Sequence, residues 1–441
     1  MKRLLSLLLC AVLALFCATT AQAAGVSITL TASEYALHYA FDAGAQDPFV
    51  ILEYATPAEK GWMMLYSTDG RFEGDIALAY SGAGGKTSVA LTSARTTGSI
   101  GKASTTLPKA ADYQKPTGKS NVKVTDFVLT ETPEGFHYAF NAIGTDYMLL
   151  YWRSKQQTVT QPVYPDENGH YEGDVVSELT FARTQFTVQV KSGAGSMKKE
   201  ATVRKGYQAP EAPQRQEGRL SGVTVCIDAG HQENGRFVNE PIGPGLTGST
   251  SGKGGMAQGT KTNRRESIVC LEIGMLLRDE LLRQGANVIM TREDQTTFHT
   301  NIERCEIAEA GGAQIMLRLH CNNSSNRSKR GIQVYGPLNS DYAKAVADAD
   351  TYREMGQKLL DAMKTRVGMT LANSTGMVRL NDNYVGNNWA KMMCFLVEMG
   401  YLSNPAEEYL LVTPVYQQWL AEGMADGVYE IAVARGWVQA Q

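Results

Sequence analysis

The chain has 441 residues, more than a single hydrophobic core usually accommodates, so two or three domains are expected. Hydrophobic residues make up 43% and charged residues 20%, the composition of an ordinary globular protein. A formal net charge of −3 excludes the strongly basic character of a nucleic-acid or anionic-membrane binder, so partners have to be read from sites.

At the amino end, MKRLLSLLLCAVLALFCATTAQA carries two basic residues, an apolar run from Leu4 to Ala18 and small residues at Ala21 and Ala23. This pattern predicts a secretory signal peptide over residues 1–23 and an exported, soluble mature chain. Neither Cys10 nor Cys17 has the small-residue setting of a lipid-modified cysteine, and no later apolar run is long enough to span a bilayer. The remaining cysteines, Cys226, Cys270, Cys305, Cys321 and Cys394, are odd in number and lie in apolar patterns, which argues against a disulfide framework and for small buried hydrophobes.

LHYAFDA at 37–43 matches FHYAFNA at 136–142, and DGRFEGD at 69–75 matches NGHYEGD at 168–174. Both pairs are offset by 99 residues, as a duplicated unit requires. Short alternating stretches such as FVILEYA, YMLLYWR and FTVQVKS, broken by Gly, Asp and Asn turns, predict two Ig-like β-sandwich repeats, over 24–105 and 120–206. His38 and His137 occupy equivalent places beside aromatic residues and read as packing residues. With no nucleophile or metal-ligand cluster, the repeats read as binding or spacer elements. Residues 101–121 read as the connection between them.

A Pro-rich linker is expected at 207–219, and after it the periodicity changes. VTVCIDAG, ANVIMTR, QIMLRLH and MMCFLVE read as strands apolar on both faces. RESIVCLEIGMLLRDELLRQG, NIERCEIAEAGG and the final AEGMADGVYEIAVARG read as helices. Residues 220–441 are therefore an α/β domain whose sheet is covered on two sides.

In such a sheet ligands bind beyond the carboxyl ends of the strands. Three strands end in groups that bind metal or move protons: Asp228 and His231, His320, and Glu398. Glu266 continues the stripe of Cys270, Ile273, Leu277 and Leu281, with Glu272 on the polar side. Asn263 and Glu266 also have capping-box spacing, so Glu266 is either a helix cap or a buried carboxylate with a partner. His320 alone reads equally as a hydrogen-bonded core histidine. Taken together, His231, Glu266 and His320 make a set of two imidazoles and one carboxylate suited to catalytic zinc with one open position. His299 reads as a loop residue.

VCIDAGHQ, the Glu266 helix, VIMTRED, IERCEIAEAGGAQIMLRLHCN and FLVEMGYLSNPAEE, in that order over 222–437, resemble the zinc-dependent N-acetylmuramoyl-L-alanine amidases of the amidase-3 group. The resemblance implies zinc on His231, Glu266 and His320, and Glu398 as the catalytic carboxylate. Two residues depart from the family's pattern: Arg318 where a serine is usual, and Cys270 where an asparagine is frequent. Glu398 would take a proton from water and return it to the leaving nitrogen; its other reading is a cap or salt-bridge carboxylate. Asp228 either orients His231 through its second ring nitrogen or ties down the DAGH turn. Asn322, with Asn323, and Arg379 and Trp389 are candidate substrate contacts.

Between His231 and Glu266 lie 34 residues with eight glycines, read as a mobile border to the substrate groove. Its GSTSGKGG fails as a phosphate loop, because Thr247 stands where the first glycine is needed and a glycine follows Lys253. The expected protein is a secreted zinc amidase acting on peptidoglycan, periplasmic or extracellular, with the repeats holding it to the wall or to a protein partner. A zinc peptidase on another wall amide and a wall-binding adaptor with an inactive hydrolase domain are the alternatives.

Overall fold

The computed structural model describes residues 19–21, 25–32, 36–57, 60–78, 84–109, 122–132, 135–143, 148–153, 158–163, 165–176, 184–192, 197–205, 211–232, 238–250, 255–262, 264–367 and 377–440. Most of the expected signal peptide, residues 110–121 of the expected connection, and Asn263 lie outside them.

The first unit contains β1 (Thr19–Ala21), β2 (Ile28–Ala32), β3 (Ala36–Asp42), β4 (Phe49–Ala55), β5 (Lys60–Tyr66), β6 (Arg71–Ala77), β7 (Gly85–Ser93) and β8 (Ser99–Leu107). They form two antiparallel sheets, β1-β2-β3-β6 and β5-β4-β7-β8. Leu30, Leu37 and Phe41 from one sheet share a core with Leu52, Val89 and Leu91 from the other. Residues 101–107, expected to be connection, are strand. Their Gly, Ser and Thr content hides an alternation in which Gly101, Ala103, Thr105 and Leu107 are all buried.

The second unit contains β9 (Lys123–Thr132), β10 (Gly135–Ile143), β11 (Met148–Arg153), β12 (Thr158–Val163), β13 (His170–Val176), β14 (Thr184–Ser192) and β15 (Met197–Lys205). Its sheets run β13-β10-β9 and β12-β11-β14-β15, with Phe136, Phe140 and Tyr171 facing Leu150, Trp152 and Val188. The pairing of His137 with Asp174 has the same register as that of His38 with Asp75. These histidines are not core packing residues. His38 Nδ1 lies 3.0 Å from Asp75 and its Nε2 3.4 Å from Glu73; His137 meets Asp174 and Glu172 at 3.0 and 3.2 Å. The aromatic neighbours in sequence point to the opposite face of the strand, which is why adjacency misled.

The third unit begins with β16 (Thr224–Ala229), α1 (Glu266–Arg283), β17 (Asn287–Met290), α2 (Asn301–Ala310) and β18 (Ile315–Asn322). It continues with β19 (Gln333–Gly336), α3 (Asp341–Val346), α4 (Ala349–Val367), β20 (Met377–Leu380), α5 (Val385–Trp389), β21 (Met393–Tyr401), α6 (Pro405–Leu411) and α7 (Pro414–Ala434). The sheet order is β17-β16-β18-β21-β19-β20, parallel except where β19 meets β21. Period-two alternation divides the strands between two cores. Val225, Ile227, Leu317, Leu319, Phe395 and Val397 pack with α1, α4 and α7, whereas Cys226, Met316 and Cys394 face Cys305, Ala308 and Ala390 beside α2 and α5.

Both faces are therefore covered, and all five described cysteines are buried and free. Residues 211–219 are not a detached linker, because Gln216 N donates to Leu282 O, Arg215 to Gly285 O, and Arg219 pairs with Asp426. Glu272 corrects the amphipathic reading of α1. It is buried against α7, where its Oε2 accepts from Gln417 Nε2 at 2.9 Å, and Arg264 lies 3.5 Å from its Oε1.

Candidate metal centre

Alternation also selects the face on which polar side chains emerge at the carboxyl ends of the central strands. Asp228 stands beside Arg318 across the β16–β18 pair, and His320 beside Glu398 across β18–β21, all at even positions. These positions continue the Cys226, Met316 and Cys394 face, which α2 and α5 leave open at that end. There a cleft of about 850 Å³ is lined by His231, Glu266, His320 and Glu398 together with Asn322, Asn323, His299 and Tyr384.

Glu266 reaches the cleft as the first residue of α1. The N-cap is Arg265, without a side-chain cap bond, so Glu266 does not hold the third position that a capping box requires. Its Oε1 lies 3.1 Å from His231 Nε2 and 3.0 Å from His320 Nδ1, and accepts from Cys321 N at 3.0 Å; Oε2 accepts from Ala257 N at 2.7 Å. The ligand atoms of His231, Glu266 and His320 all lie within 4.8 Å of one another.

His231 follows Gly230 at the end of β16 and has φ of 57°, a left-handed conformation uncommon for a side chain of this size. That turn brings its ring towards Glu266 rather than along the strand. Gly230 is required by close approach, since a Cβ there would meet the Leu319 carbonyl and come within 2.6 Å of the His320 ring.

Burial alone would raise the Glu266 pKa, but hydrogen bonds from the two histidines outweigh it and hold the carboxylate ionised. Burial lowers the His320 pKa despite the Glu266 bond, so its ring is neutral near pH 7, the form that ligates metal. Glu398 behaves oppositely. Burial first, and then the charge of Glu266, push its carboxyl well above the usual range, and its Oε2 is buried with no hydrogen-bond partner. His320 Nε2 is likewise buried and unpartnered. The site thus sets an ionised carboxylate beside one whose proton affinity is raised, the kind of contrast that acid–base chemistry uses.

Asp228 does not orient His231. It is fully buried, and its carboxylate accepts from Thr291 Oγ1 at 2.7 Å, Arg304 Nη1 at 2.5 Å and Arg318 Nε at 2.9 Å. Its hydrogen bonds go to Thr291 and two guanidinium groups, and His231 is not among the donors it accepts from. Its link to the site is indirect: Arg304 Nη1 also donates to Ala229 O and Nη2 to His231 O. Desolvation would raise the Asp228 pKa, but Arg304 and Arg318 hold it well below the carboxylate range. Arg318 fits where a serine was expected because Gly386 leaves room for its guanidinium and Asn301 Oδ1 accepts from Nη2 at 2.6 Å.

Asn322 lines the cleft, its amide donating to Gln333. Trp389 does not; its indole donates to Pro241 O, which fastens the 238–250 segment to α5. Arg379, an exposed residue of β20, is also outside the lining. Tyr384 sits there instead, at the N-cap of α5, and only its place as the aromatic within NDNYVGNN hinted at it. The described parts of the 34-residue segment are fastened rather than loose. Glu240 accepts from Asn301 and Ile302 at the start of α2, and Glu408 accepts from Thr260, Lys261 and Thr262.

Residues 225–430 match the N-acetylmuramoyl-L-alanine amidase family. A germination-specific N-acetylmuramoyl-L-alanine amidase of Bacillus subtilis is 26% identical over 231 residues, covering 49% of this chain and 83% of that protein. The probable cell wall amidase LytH of Staphylococcus aureus is 27% identical over 218 residues, covering 48% of this chain and 60% of the relative. Among solved structures, the amidase Ami1 of Mycobacterium smegmatis is 18% identical with a TM-score of 0.43, over 49% of this chain and all of that one. The CwlD amidase of Clostridioides difficile, solved in complex with the GerS lipoprotein, is 22% identical with a TM-score of 0.38, over 48% of this chain and 99% of that one. On the family match and the curated relatives, residues 225–430 of the chain form an amidase-3 domain.

Proposed function

We propose that the protein is an exported zinc amidase that cuts peptidoglycan between the lactyl group of N-acetylmuramic acid and the first L-alanine of the stem peptide. The observation that carries this is the convergence of His231, Glu266 and His320, with Glu398 as the cross-strand neighbour of His320. The three donor atoms lie within 4.8 Å of one another, with Glu266 Oε1 3.0–3.1 Å from each histidine, so these residues would hold a small divalent cation such as zinc. One carboxylate and two imidazoles are donors that zinc takes in sites that keep a fourth position open. A zinc ion held there supplies Lewis acidity that polarises an amide carbonyl and acidifies water.

The chain's own residues supply the rest. Glu398, half-buried beside His320 with its Oε2 enclosed, takes the proton of the attacking water in its ionised form and returns it to the departing nitrogen of L-alanine. Asn322 and Tyr384 border the cleft and position the peptide. The two β-rich units are read as Ig-like sandwich repeats that keep the enzyme on the wall or on a protein partner. The signal-peptide pattern supports action outside the cytoplasm.

The test is mass spectrometry of the products released from purified peptidoglycan by the full mature chain, with and without a zinc chelator. Stem peptides with a free L-alanine amino terminus, lost on chelation and restored by zinc, are expected. Cleavage at another amide refutes the bond assignment. Undiminished cleavage by a His320→Ala protein devoid of zinc refutes the metal assignment.

A further inference from the structure

The outer face of the β5-β4-β7-β8 sheet is divided in two. At one end Phe49, Ile51, Trp62, Met64 and Tyr66 meet the amidase domain: Phe49 packs on Tyr416 and Trp419, Trp62 lies 4.0 Å from Tyr409, and Ile51 clusters with Ala406 and Tyr409. The other end is uncovered, and strand pairing fixes which residues form it. One row across the sheet is Lys60, Ala55, Ser88 and Ser104; the next is Trp62, Glu53, Ala90 and Lys102. Lys86 precedes them on the same face of β7. Ala55, Ser88 and Ala90 on the central strands lie lower than Lys60 and Trp62 on β5 and Lys102 on β8, which leaves a trough with Glu53 and Lys86 standing in it. With Lys261 and Tyr409 of the amidase domain closing one side, its volume is about 760 Å³.

Four lysines and one glutamate line this trough, in a chain whose net charge is −3. The lysines are not a property of the β-rich unit. In the second unit Leu150 pairs with Gln161 and Val190 as Leu52 pairs with Met63 and Leu91. Counted from those positions, Lys60, Lys86 and Lys102 correspond to Thr158, Gln185 and Glu200. At these three positions lysine belongs only to the copy that docks on the amidase domain, while the second unit carries its cations at other positions, such as Arg153 beside Thr158. The trough also adjoins the catalytic cleft through one segment: Met256 and Ala257 line the cleft, and Lys261, four residues on, lines the trough.

We infer that this trough is a second binding site for peptidoglycan, taking a stretch of the same polymer outside the catalytic cleft. Stem-peptide carboxylates meet the four ammonium groups, and a sugar face rests on Trp62, which is 38% exposed. Lysine is a flexible point charge suited to carboxylates repeated along a chain, and an exposed indole offers sugars an apolar platform with a polar tip. The choice of polymer rests on the function proposed above; the positive trough does not.

The experiment measures co-sedimentation of the full mature chain with purified sacculi stripped of phosphodiester polymers, in a Glu398→Gln background so that the wall survives. Its comparison is the same chain carrying Lys60→Glu, Lys86→Glu and Lys102→Glu, with a Lys→Gln triple variant to separate lost attraction from added repulsion. These are exposed residues, and a melting curve superposing on the parent's verifies the fold. The charge-reversed chain is expected to bind stripped sacculi about tenfold or more weakly and the Gln variant to fall between. With Glu398 restored, its cleavage of a soluble muramyl peptide stays unchanged. Equal binding by all three proteins overturns the inference, as does a lysine-dependent difference confined to walls that retain phosphodiester polymers, which would make the occupant a polyphosphate chain. Lysine-dependent sedimentation without soluble cleavage would instead refute the amidase reading and leave the trough standing as a wall-binding site.

Discussion

Replacing Asp228 with alanine removes the carboxylate that, among the described residues, pairs with both Arg304 and Arg318 beneath the cleft, and both arginines are 4% exposed. Arg292 lies close by, its pKa lowered to about 10 by burial and by the charge of Arg304, so the pocket is already short of negative charge. Stranding buried charge in this way costs about 3–5 kcal/mol. In a domain of this size each kcal/mol moves the melting temperature by about 2–4 °C, so a fall of roughly 10 °C is expected. Arg318→Ser is milder, because Asp228 keeps Arg304 at 2.5 Å and Thr291 at 2.7 Å. Adding it to Asp228→Ala should recover about 1–3 kcal/mol, since one of the two orphaned cations is then gone. Differential scanning calorimetry of the four proteins at one pH measures both quantities. A single Asp228→Ala variant melting within 2 °C of the parent, or strictly additive losses, would refute the view that this cluster is a coupled charge network.

Glu398→Gln should keep the metal and lower hydrolysis by about 10²–10⁴, the range for a lost general acid–base group; a variant retaining a tenth of the activity sinks that role. Gly230→Ala should cost about 1–3 kcal/mol and weaken zinc binding, because the new Cβ presses on the Leu319 carbonyl and the His320 ring; calorimetry and zinc titration check both. Glu407 makes stability depend on pH. Burial raises its pKa to about 7, against the opposing pull of the Tyr401 and Gly331 amides and Arg330. Below its unfolded value of 4.5 both states hold the proton. Between 4.5 and 7 only the unfolded chain releases it, so stability falls by about 3 kcal/mol as pH rises through that window and then levels off. Glu407→Gln should abolish this component in melting curves taken from pH 4.5 to 8, and an unchanged slope counts against the assignment.

The site was legible because its residues follow the end of an apolar run, where a covered parallel sheet leaves only one place for a ligand. His231, Glu266, His320 and Glu398 each follow from that rule or from helix periodicity, and the fold brings all four to one cleft. Asp228 obeys the same rule yet serves the charge cluster, since a carboxylate takes whichever donors the tertiary structure supplies, and no local pattern names Arg304 as its partner. Glu272 failed for a related reason: polarity predicts exposure, but Gln417, distant in sequence, holds it buried; Trp389, a candidate substrate contact, is instead bonded to Pro241. Strand β8 was missed because its buried face is glycine, alanine and threonine until Leu107 at its end. Nothing in a single β-unit's sequence marks the edge at which it docks.

That docking has a consequence for the catalytic end. Helix α6 has seven residues, too few to be stable by itself, so its order comes from what it touches. Successive residues on it point in three directions. Tyr409 lies against Trp62 of the first unit, Glu408 accepts from Lys261 and Thr262, and Glu407 accepts from Gly331 and Tyr401. The segment that Glu408 holds also supplies Ala257 N to Glu266. The loop is closed on its other side by Arg330, which donates to Ala94 O and Arg95 O of the first unit. Phe49→Ala, emptying a fully buried site among Tyr66, Tyr416 and Trp419, should cost the interface about 3–5 kcal/mol. The expected signature lies away from the cavity: faster amide hydrogen exchange at 257–262 and weaker zinc binding, both reversed by Phe49→Leu. Exchange that quickens only around residues 49–66 would mean that α6 and its segment are held by the amidase domain alone.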